Sequence, residues 1–159
     1  MALDFIRGRD LLDIHDEEPG RLTPEVLNAI LVRVLEAVEY IHERGILHRD
    51  ISPDNILLDQ SNEPVLIDFG AAREEATRMS RILSHQHTVK DGYSPQEFYV
   101  SGSAQTIASD LYALGATFYH LISGEAPPVA QARLAAVAAN QRDPYVSLTS
   151  RSPSHSYRV

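Results

Sequence analysis

The chain has 159 residues, of which 43% are hydrophobic and 23% are charged, and its formal net charge at pH 7 is -8. This length and apolar content predict one folded domain rather than a disordered chain. The absence of cysteine excludes a disulfide scaffold, a thiolate metal site and a cysteine nucleophile. The acidic balance argues against binding to nucleic acid, and no apolar run approaches the length that spans a membrane. We therefore expect a soluble, cytoplasmic domain with neither a nucleic-acid nor a membrane partner.

The first predicted elements are short. Ala2–Ile6 is apolar except for Asp4 and predicts a strand, which Arg7–Arg9 would connect to the next element. Asp10–Asp16 carries leucine and isoleucine on one side and predicts a short helix. A turn follows at Glu17–Arg21, where proline and glycine stand together.

The clearest helix signal covers residues 24–44. Thr23 is a suitable N-cap, Pro24 suits the first helical position, and Gly45 is typical of the residue after a helix end. The apolar residues that recur at helical spacing are Leu27, Ile30, Leu31, Val34, Val38 and Ile41. The pattern predicts one long helix that packs against the core.

A hairpin and a second long helix are predicted further along the chain. The short apolar runs Ile56–Leu58 and Val65–Ile67 flank the turn-rich segment Asp59–Pro64, which predicts a hairpin of two small strands. Residues 71–92 show no sustained periodicity, and an irregular segment of that length inside a domain is usually functional or mobile. Ser109–Ser123 predicts a helix whose apolar residues lie on nearly all sides, which indicates deep burial.

The signal weakens after Pro128. The alanine-rich segment Val129–Asn140 is expected to be helical, and Ser147–Val159 has the polar composition of a frayed tail. Together these elements predict a fold class that is mainly α with small β hairpins.

Three polar groups surround the predicted hairpin. His48-Arg49-Asp50 precedes it, Asn55 follows five residues after Asp50, and Asp68-Phe69-Gly70 follows the second strand. Because a hairpin brings the ends of its strands together, Asn55 and Asp68 can converge while Asp50 stands beside them. An amide oxygen and a carboxylate suit Mg²⁺, which completes its shell with phosphate oxygens and water, and a neighbouring carboxylate can accept a hydroxyl proton. Phosphoryl transfer requires this grouping.

Each motif taken singly has a simpler interpretation. A lone Asp-Phe-Gly is most often a turn, and a lone His-Arg-Asp is more often an ion-paired loop. Their joint order, with the asparagine between them and each motif at a strand end, is a much more specific signal. We interpret the three groups as one phosphoryl-transfer site.

On these motifs the chain resembles the C-terminal lobe of a eukaryotic-type serine/threonine protein kinase, most closely the versions found in bacteria. The resemblance covers residues 1–128 and implies a protein kinase-like C-lobe. Residues 129–159 would then be a truncated helical remainder and a disordered tail. The sequence holds no glycine-rich phosphate loop and no Val-Ala-Ile-Lys strand ahead of this region, so we expect the N-terminal lobe to be absent.

The resemblance implies ATP and Mg²⁺ as cofactors and gives roles to individual residues. Asp50 matches the catalytic base, and Asn55 and Asp68 match the metal ligands. Four further residues match the nucleotide contacts: Asp4 and Ile6 in the adenine-binding backbone, Asp10 near the ribose, and Leu57 as the apolar floor under the adenine.

Structural roles follow from the same resemblance. His48 and Phe69 match stacked core residues that couple the catalytic loop to the metal loop, and Arg49 matches the arginine that can hold a phosphorylated activation loop. Asp110 matches the acid of the buried helix that anchors the catalytic loop; the alternative is an ordinary helix-start acid stabilised by the helix dipole. Pro95-Gln96-Glu97 stands where the family closes its activation loop.

Two positions depart from the family pattern. Ser52 stands where the family usually has lysine, two residues after the catalytic aspartate, and Lys90 stands where the family usually has threonine. We hypothesise that Lys90 is a catalytic residue that reaches back to Asp50 and the γ-phosphate, with Ser52 as its hydrogen-bond partner. The alternative is a solvated loop lysine.

The resemblance implies ATP-dependent phosphoryl transfer to serine or threonine hydroxyls of a protein that the sequence does not identify. We expect these 159 residues to be inactive alone, because the predicted ATP pocket has a floor but no roof and water weakens the electrostatic contacts of an open site. One alternative is a non-catalytic, kinase-like scaffold that presents a surface to a partner. Another is phosphoryl transfer to a small molecule.

Overall fold

The structure is a computed structural model that describes residues 6–69 and 89–150. The regular elements of these residues are four α-helices and three short strands, with 3₁₀ turns between them. In chain order they are β1 (Gly8–Asp10), α1 (Leu11–Glu17), α2 (Pro24–His42), β2 (Ile56–Asp59), β3 (Pro64–Leu66), α3 (Ile107–Ser123) and α4 (Ala130–Ala138). The described residues are mainly helical with one small antiparallel sheet, as the sequence predicts.

Helix α2 ends two residues before the end that its periodicity predicts. Thr23 caps the start, because its side-chain oxygen accepts a hydrogen bond from the Val26 N–H. Glu43 is the C-cap, and the chain turns at Gly45, whose φ of +69° favours a residue without Cβ. The buried residues lie at helical spacing and are Leu27, Ile30, Val34 and Val38.

The sheet has a third strand where the sequence predicts a connector. β2 and β3 form the predicted hairpin, and β1 pairs antiparallel with the other edge of β2. Gly8 stands opposite Asp59 in this pairing, and a Cβ on Gly8 would lie 2.4 Å from the Leu58 carbonyl oxygen. The connector predicted at Arg7–Arg9 is therefore wrong in part, because the missing side chain permits the close backbone approach that pairing needs.

The core lies where α1, α2 and α3 pack together beside the sheet. Helix α3 begins two residues earlier than predicted, since Thr106 and Ser109 form a capping box at its start. Its burial is also less complete than predicted, because Ile107 and Leu111 are exposed. The largest members of the core cluster are Leu11, Ile14, Leu22, Leu27, Ile30, Ile51, Ile56, Leu58, Leu114, Phe118 and Leu121.

The C-terminal part of the described chain contains α4, which is shorter than the predicted helix at Val129–Asn140. A 3₁₀ turn at Leu148–Ser150 lies within the predicted tail. Most of the predicted strand at Ala2–Ile6, most of the irregular segment 71–92 and the end of the tail lie outside the described residues. No helix among residues 6–69 and 89–150 is long and apolar enough to cross a membrane.

Candidate active site

The loop that carries Asp50 is held by one buried carboxylate. Asp110, near the start of α3, is 1% exposed. Its oxygens accept backbone N–H hydrogen bonds from His48 and Arg49, each at 2.8 Å, and its Oδ2 lies 2.8 Å from His42 Nε2. Arg49 has a φ of +70°, a region that L residues rarely adopt. The contacts therefore fix the backbone directly before Asp50, as expected of an anchoring acid rather than an exposed helix-start residue.

His48 connects this loop to the segment after β3. Its Nδ1 accepts a hydrogen bond from the Asp50 N–H at 3.2 Å, so Nε2 carries the proton and donates to the Ile67 carbonyl at 2.9 Å. The ring also packs against Phe69, with centroids 4.6 Å apart. Burial lowers the pKa of His48, although neighbouring acids act in the opposite direction. The contact between the rings of His48 and Phe69 is the one expected from the sequence.

Asp50 and Asn55 are joined directly. The Asn55 side-chain NH₂ donates to the Asp50 carbonyl at 2.7 Å and to Asp50 Oδ2 at 2.9 Å. Asn55 is 6% exposed, and its backbone carbonyl accepts the Ile67 N–H at 3.0 Å. Because both donors of the amide face Asp50, the amide oxygen is not used in this contact. Burial raises the pKa of Asp50, while Lys90 and Asn55 lower it.

Asp68 follows β3 with an unusual backbone. Its φ is +59°, which for a residue with a side chain is sparsely populated and found most often at functional sites. The bond between the Ile67 N–H and the Asn55 carbonyl brings the chain next to Asp68 beside Asn55. The structure therefore joins the segments of Asn55 and Asp68, the two residues assigned to a metal.

Lys90 reaches this loop from a distant part of the chain, and it is the only lysine of the sequence. Its ammonium donates to Ser52 Oγ and to Asp54 Oδ2, each at 2.8 Å, and lies 3.4 Å from Asp50 Oδ2. The side chain of Lys90 is 25% exposed. These contacts agree with the position hypothesised from the sequence and differ from those of a solvated loop lysine, while a catalytic role for Lys90 stays a prediction.

Asp54 is the site residue that the sequence analysis missed. Burial alone would raise its pKa, but the hydrogen bond and charge of Lys90 hold the pKa of Asp54 below its usual value. The sequence holds one weak signal, which is that Asp54 stands two residues from Ser52, the partner hypothesised for Lys90. Spacing along the chain gives no indication of this pair, because 36 residues separate the partners.

Two of the four residues assigned to the nucleotide, Asp10 and Leu57, lie at the β1–α1 junction and on β2. Asp10 is the N-cap of α1, where its carboxylate accepts the Asp13 N–H at 2.8 Å. Leu57 is half-buried and stands directly opposite Asp10 in the sheet register. Ile6 is also half-buried, and Asp4 lies outside the described residues. The structure thus brings Asp10 and Leu57 together, and capping gives Asp10 a structural role that the sequence analysis did not assign.

Glu97 packs against the start of α3. Its carboxylate accepts a hydrogen bond from the Ser109 hydroxyl, and the same hydroxyl accepts the Thr106 N–H at 3.0 Å. The segment Pro95-Gln96-Glu97 is thereby attached to the capping box of the helix that also carries Asp110. The loop that carries Asp50 and the segment that follows Lys90 are therefore both attached to the start of α3.

Comparisons with known proteins agree with this geometry. A family model described as the protein kinase domain matches residues 1–156. The chain is 36% identical to the serine/threonine-protein kinase PknA of Nostoc sp. over 132 residues, which are 78% of this chain and 22% of PknA. It is 31% identical to the serine/threonine-protein kinase RUNKEL of Arabidopsis thaliana over 147 residues, which are 91% of this chain and 10% of RUNKEL.

A solved structure is similar as well. The apo form of PpkA-294 aligns with a TM-score of 0.74 at 35% sequence identity, covering 98% of this chain and 51% of that one. The chain therefore spans about a quarter or less of these curated relatives and half of the solved structure.

Proposed function

Because the chain belongs to the protein kinase family and has a protein kinase-like fold, we propose that it carries the catalytic loop of an ATP-dependent serine/threonine protein kinase. The observation that carries the proposal is the Asp50 carboxylate, which is contacted by Asn55 and Lys90 on a loop anchored by Asp110. We assign residues 1–128 to the C-lobe of the kinase domain and residues 129–159 to a helical remainder and a tail.

Asp50 acts as the base in this proposal. Asn55 and Lys90 both contact its Oδ2, whereas Oδ1 has no hydrogen-bond partner among the residues that the structure describes. This leaves Oδ1 to orient a serine or threonine hydroxyl and to take its proton as the hydroxyl oxygen bonds to the γ-phosphorus of ATP, while the bond from that phosphorus to the bridging oxygen breaks and ADP leaves. The raised pKa of Asp50, caused by burial, makes the carboxylate a better proton acceptor.

Asn55 and Asp68 fit a magnesium ion by the chemistry of their donors. The amide oxygen of Asn55 and a carboxylate are hard oxygen ligands, and Mg²⁺ takes few such ligands from protein because it retains water and phosphate oxygens. Within residues 6–69 and 89–150 no group of three or more histidine and acidic side chains is placed to hold a metal ion, so a dedicated protein cage is not available there. When bound, Mg²⁺ neutralises charge on the phosphates.

Lys90 and the nucleotide residues complete the proposal. The Lys90 ammonium lies beside the base and would contact the transferred phosphate. The backbone at Asp4 and Ile6 would contact the adenine, Leu57 would form the floor below it, and Asp10 would lie near the ribose. ATP and a protein with an accessible serine or threonine are the expected partners.

We expect the 159 residues alone to transfer phosphate poorly or not at all. The sequence offers no glycine-rich loop to cover the phosphates, and a water-filled site weakens its electrostatic contacts. The alternative function is a non-catalytic, kinase-like scaffold. Nucleotide binding separates the two, because a scaffold has no need of a working metal site.

A thermal melt of the purified chain with Mg-ATP tests the proposal. A ligand that binds only the folded state raises stability by about 2.7 kcal/mol at a hundredfold excess over Kd, so we expect an increase in Tm. Asp68→Ala should abolish the increase, whereas Asp16→Ala, which removes an exposed carboxylate on α1, should preserve it. A cooperative melt without a shift would favour the scaffold.

A further inference from the structure

We propose that Asp54 is a positioning residue that holds the ammonium of Lys90 beside the base Asp50. This inference rests on the proposed function, because it assigns Lys90 a task only if Asp50 is the base. Asp54 itself does not contact the reacting atoms, and it acts through Lys90. Neither the family resemblance nor the comparisons assign it this role.

The distances around the ammonium carry the proposal. Lys90 has three N–H donors, and two of them are used at 2.8 Å, one by Asp54 Oδ2 and one by Ser52 Oγ. The 3.4 Å from Nζ to Asp50 Oδ2 is too long for a strong charge-assisted bond. The shortest ionic contact of Lys90 is therefore with Asp54, which leaves the third donor beside Asp50 for an anionic oxygen.

The two ends of the Asp54–Lys90 pair are fixed to different degrees. Asp54 stands in the 3₁₀ turn Pro53–Asn55, between two buried residues, so its backbone position is well determined. Lys90 is fixed at its backbone, whose N–H donates to Ser94 Oγ at 2.9 Å, but a flexible four-carbon stem separates that anchor from the charge. An acceptor at the far end of the stem is what fixes the ammonium.

The Lys90 ammonium comes from a segment distant from Ser52, which explains why it needs an anchor at Asp54. Ser52 is fully buried and brings no charge to the catalytic loop, so the cation arrives from a segment 38 residues away. The Ser52 hydroxyl offers the ammonium a hydrogen bond but no opposite charge, whereas the Asp54 carboxylate, 2.8 Å from Nζ, adds Coulomb attraction. Asp54 supplies the ionised acceptor without using the carboxylate of the base.

The first test observes Lys90 directly and requires no enzymatic activity. Because Lys90 is the only lysine, labelling the chain with ¹⁵N-lysine gives a single side-chain ammonium signal in NMR. Such protons exchange rapidly with water unless hydrogen bonds hold them. We expect a resolved signal in the native chain, and an exchange rate at least about fivefold higher in Asp54→Asn, which loses the ionised acceptor.

Two matched variants complete this experiment. Asp91→Asn makes the same change in charge one residue from Lys90, at a carboxylate that accepts from the Tyr99 hydroxyl instead, and should leave the exchange rate of the ammonium unchanged. Asp54→Glu restores the ionised acceptor and should return the rate toward that of the native chain. The proposal is overturned if the native chain gives no protected signal or if Asp54→Asn changes the rate no more than Asp91→Asn.

The second test is a double-mutant cycle with Lys90→Met that measures the Kd of the chain for Mg-ATP and requires no turnover. Asp54→Asn should raise this Kd by about tenfold, since small displacements of a positioned group are costly. In Lys90→Met the same substitution should have no further effect. An equal effect in both backgrounds would overturn the positioning role, because Asp54 would then act on something other than Lys90.

The two tests separate this inference from the proposed function. A chain with a protected Lys90 signal that depends on Asp54, but with no Mg-ATP shift, keeps the Asp54–Lys90 contact and contradicts the kinase proposal. If the chain binds Mg-ATP but the exchange rate of the Lys90 ammonium is unchanged in Asp54→Asn, only the positioning role is contradicted.

Discussion

At the scale of single residues, Asp110 determines the backbone of the catalytic loop. Its carboxylate accepts hydrogen bonds from two consecutive backbone N–H groups and lies against His42. Directly after these two N–H groups Arg49 adopts a positive φ, which turns the chain toward Asp50. These hydrogen bonds to a buried acid fix the backbone of the loop, and the position of Asp50 depends on that backbone.

Substitution of Asp110 tests this role. Asp110→Asn keeps the shape but replaces the charged carboxylate with a neutral amide. The NH₂ group of that amide then faces a backbone N–H, so that two donors meet. We expect the free energy of unfolding to fall by about 2–4 kcal/mol, from the loss of charge-assisted bonds and the unsatisfied buried groups. Urea unfolding measures the change, with Glu36→Gln, an exposed acid on α2, as the control. A loss below about 0.5 kcal/mol, typical of surface changes, would contradict the role of Asp110 as an anchor.

At the scale of elements, the turn that follows Lys90 is fixed against the segment after α3. Gly92 has a φ of +87°, and a Cβ there would lie 2.9 Å from the Pro127 carbonyl oxygen and 3.0 Å from the Ala126 Cβ. The turn also contains the hydrogen bond from the Ser94 N–H to the Lys90 carbonyl at 2.9 Å. Gly92 therefore helps set where the backbone of Lys90 lies.

A pair of glycine substitutions separates backbone strain from crowding. Gly20 has the same φ of +87°, but a Cβ there has nothing within 4 Å. We expect Gly20→Ala to cost about 1–2 kcal/mol, the price of the left-handed conformation alone, and Gly92→Ala to cost more because backbone and proline must also shift. Comparison of the Tm values of the two variants checks this. Equal losses would mean that the contact of Gly92 with Ala126 and Pro127 is easily relieved.

At the scale of the whole molecule, buried neutral histidines link stability to pH. Burial lowers the pKa of His48 and of His120, and the nearby His15 lowers that of His120 further while Asp16 opposes the shift. The Tyr93 hydroxyl contacts His120 Nδ1, and burial raises the pKa of Tyr93 to about 12. The tyrosine therefore stays protonated where it contacts the His120 imidazole.

These shifts predict a loss of stability in mild acid. A histidine whose pKa is lower in the folded state binds its proton more readily when unfolded, so its contribution is complete above the unfolded pKa of about 6.5 and declines as the pH falls below it. We expect the native chain to lose free energy of unfolding between pH 7.5 and 5.5, by at most about 1.4 kcal/mol per histidine. Urea unfolding at both pH values should show a smaller loss in His120→Gln. An identical loss in that variant would show that His120 does not contribute.

Much of this protein follows from its sequence because local patterns determine it. The periodicity after Thr23 predicts α2 to within two residues, since the spacing of apolar residues and the cap act over a few neighbours. The order of His48-Arg49-Asp50, Asn55 and Asp68 predicts a phosphoryl-transfer site without knowledge of the fold, because hairpin geometry brings strand ends together. Even the unusual position of Lys90 follows from two complementary departures, at residues 52 and 90.

What only the tertiary structure decides depends on contacts between distant segments. The pairing of β1 with β2 joins residues about 50 apart, and no local pattern distinguishes Gly8 in a strand from Gly8 in a connector. The same holds for Asp54, which looks like a solvated turn residue until a lysine 36 positions later donates to it. Sequence determines the periodic elements and the chemical groups of the site. Packing decides which of those groups become hydrogen-bond, ion-pair or strand partners. The reason is that such partners depend on distance in space and not on distance along the chain.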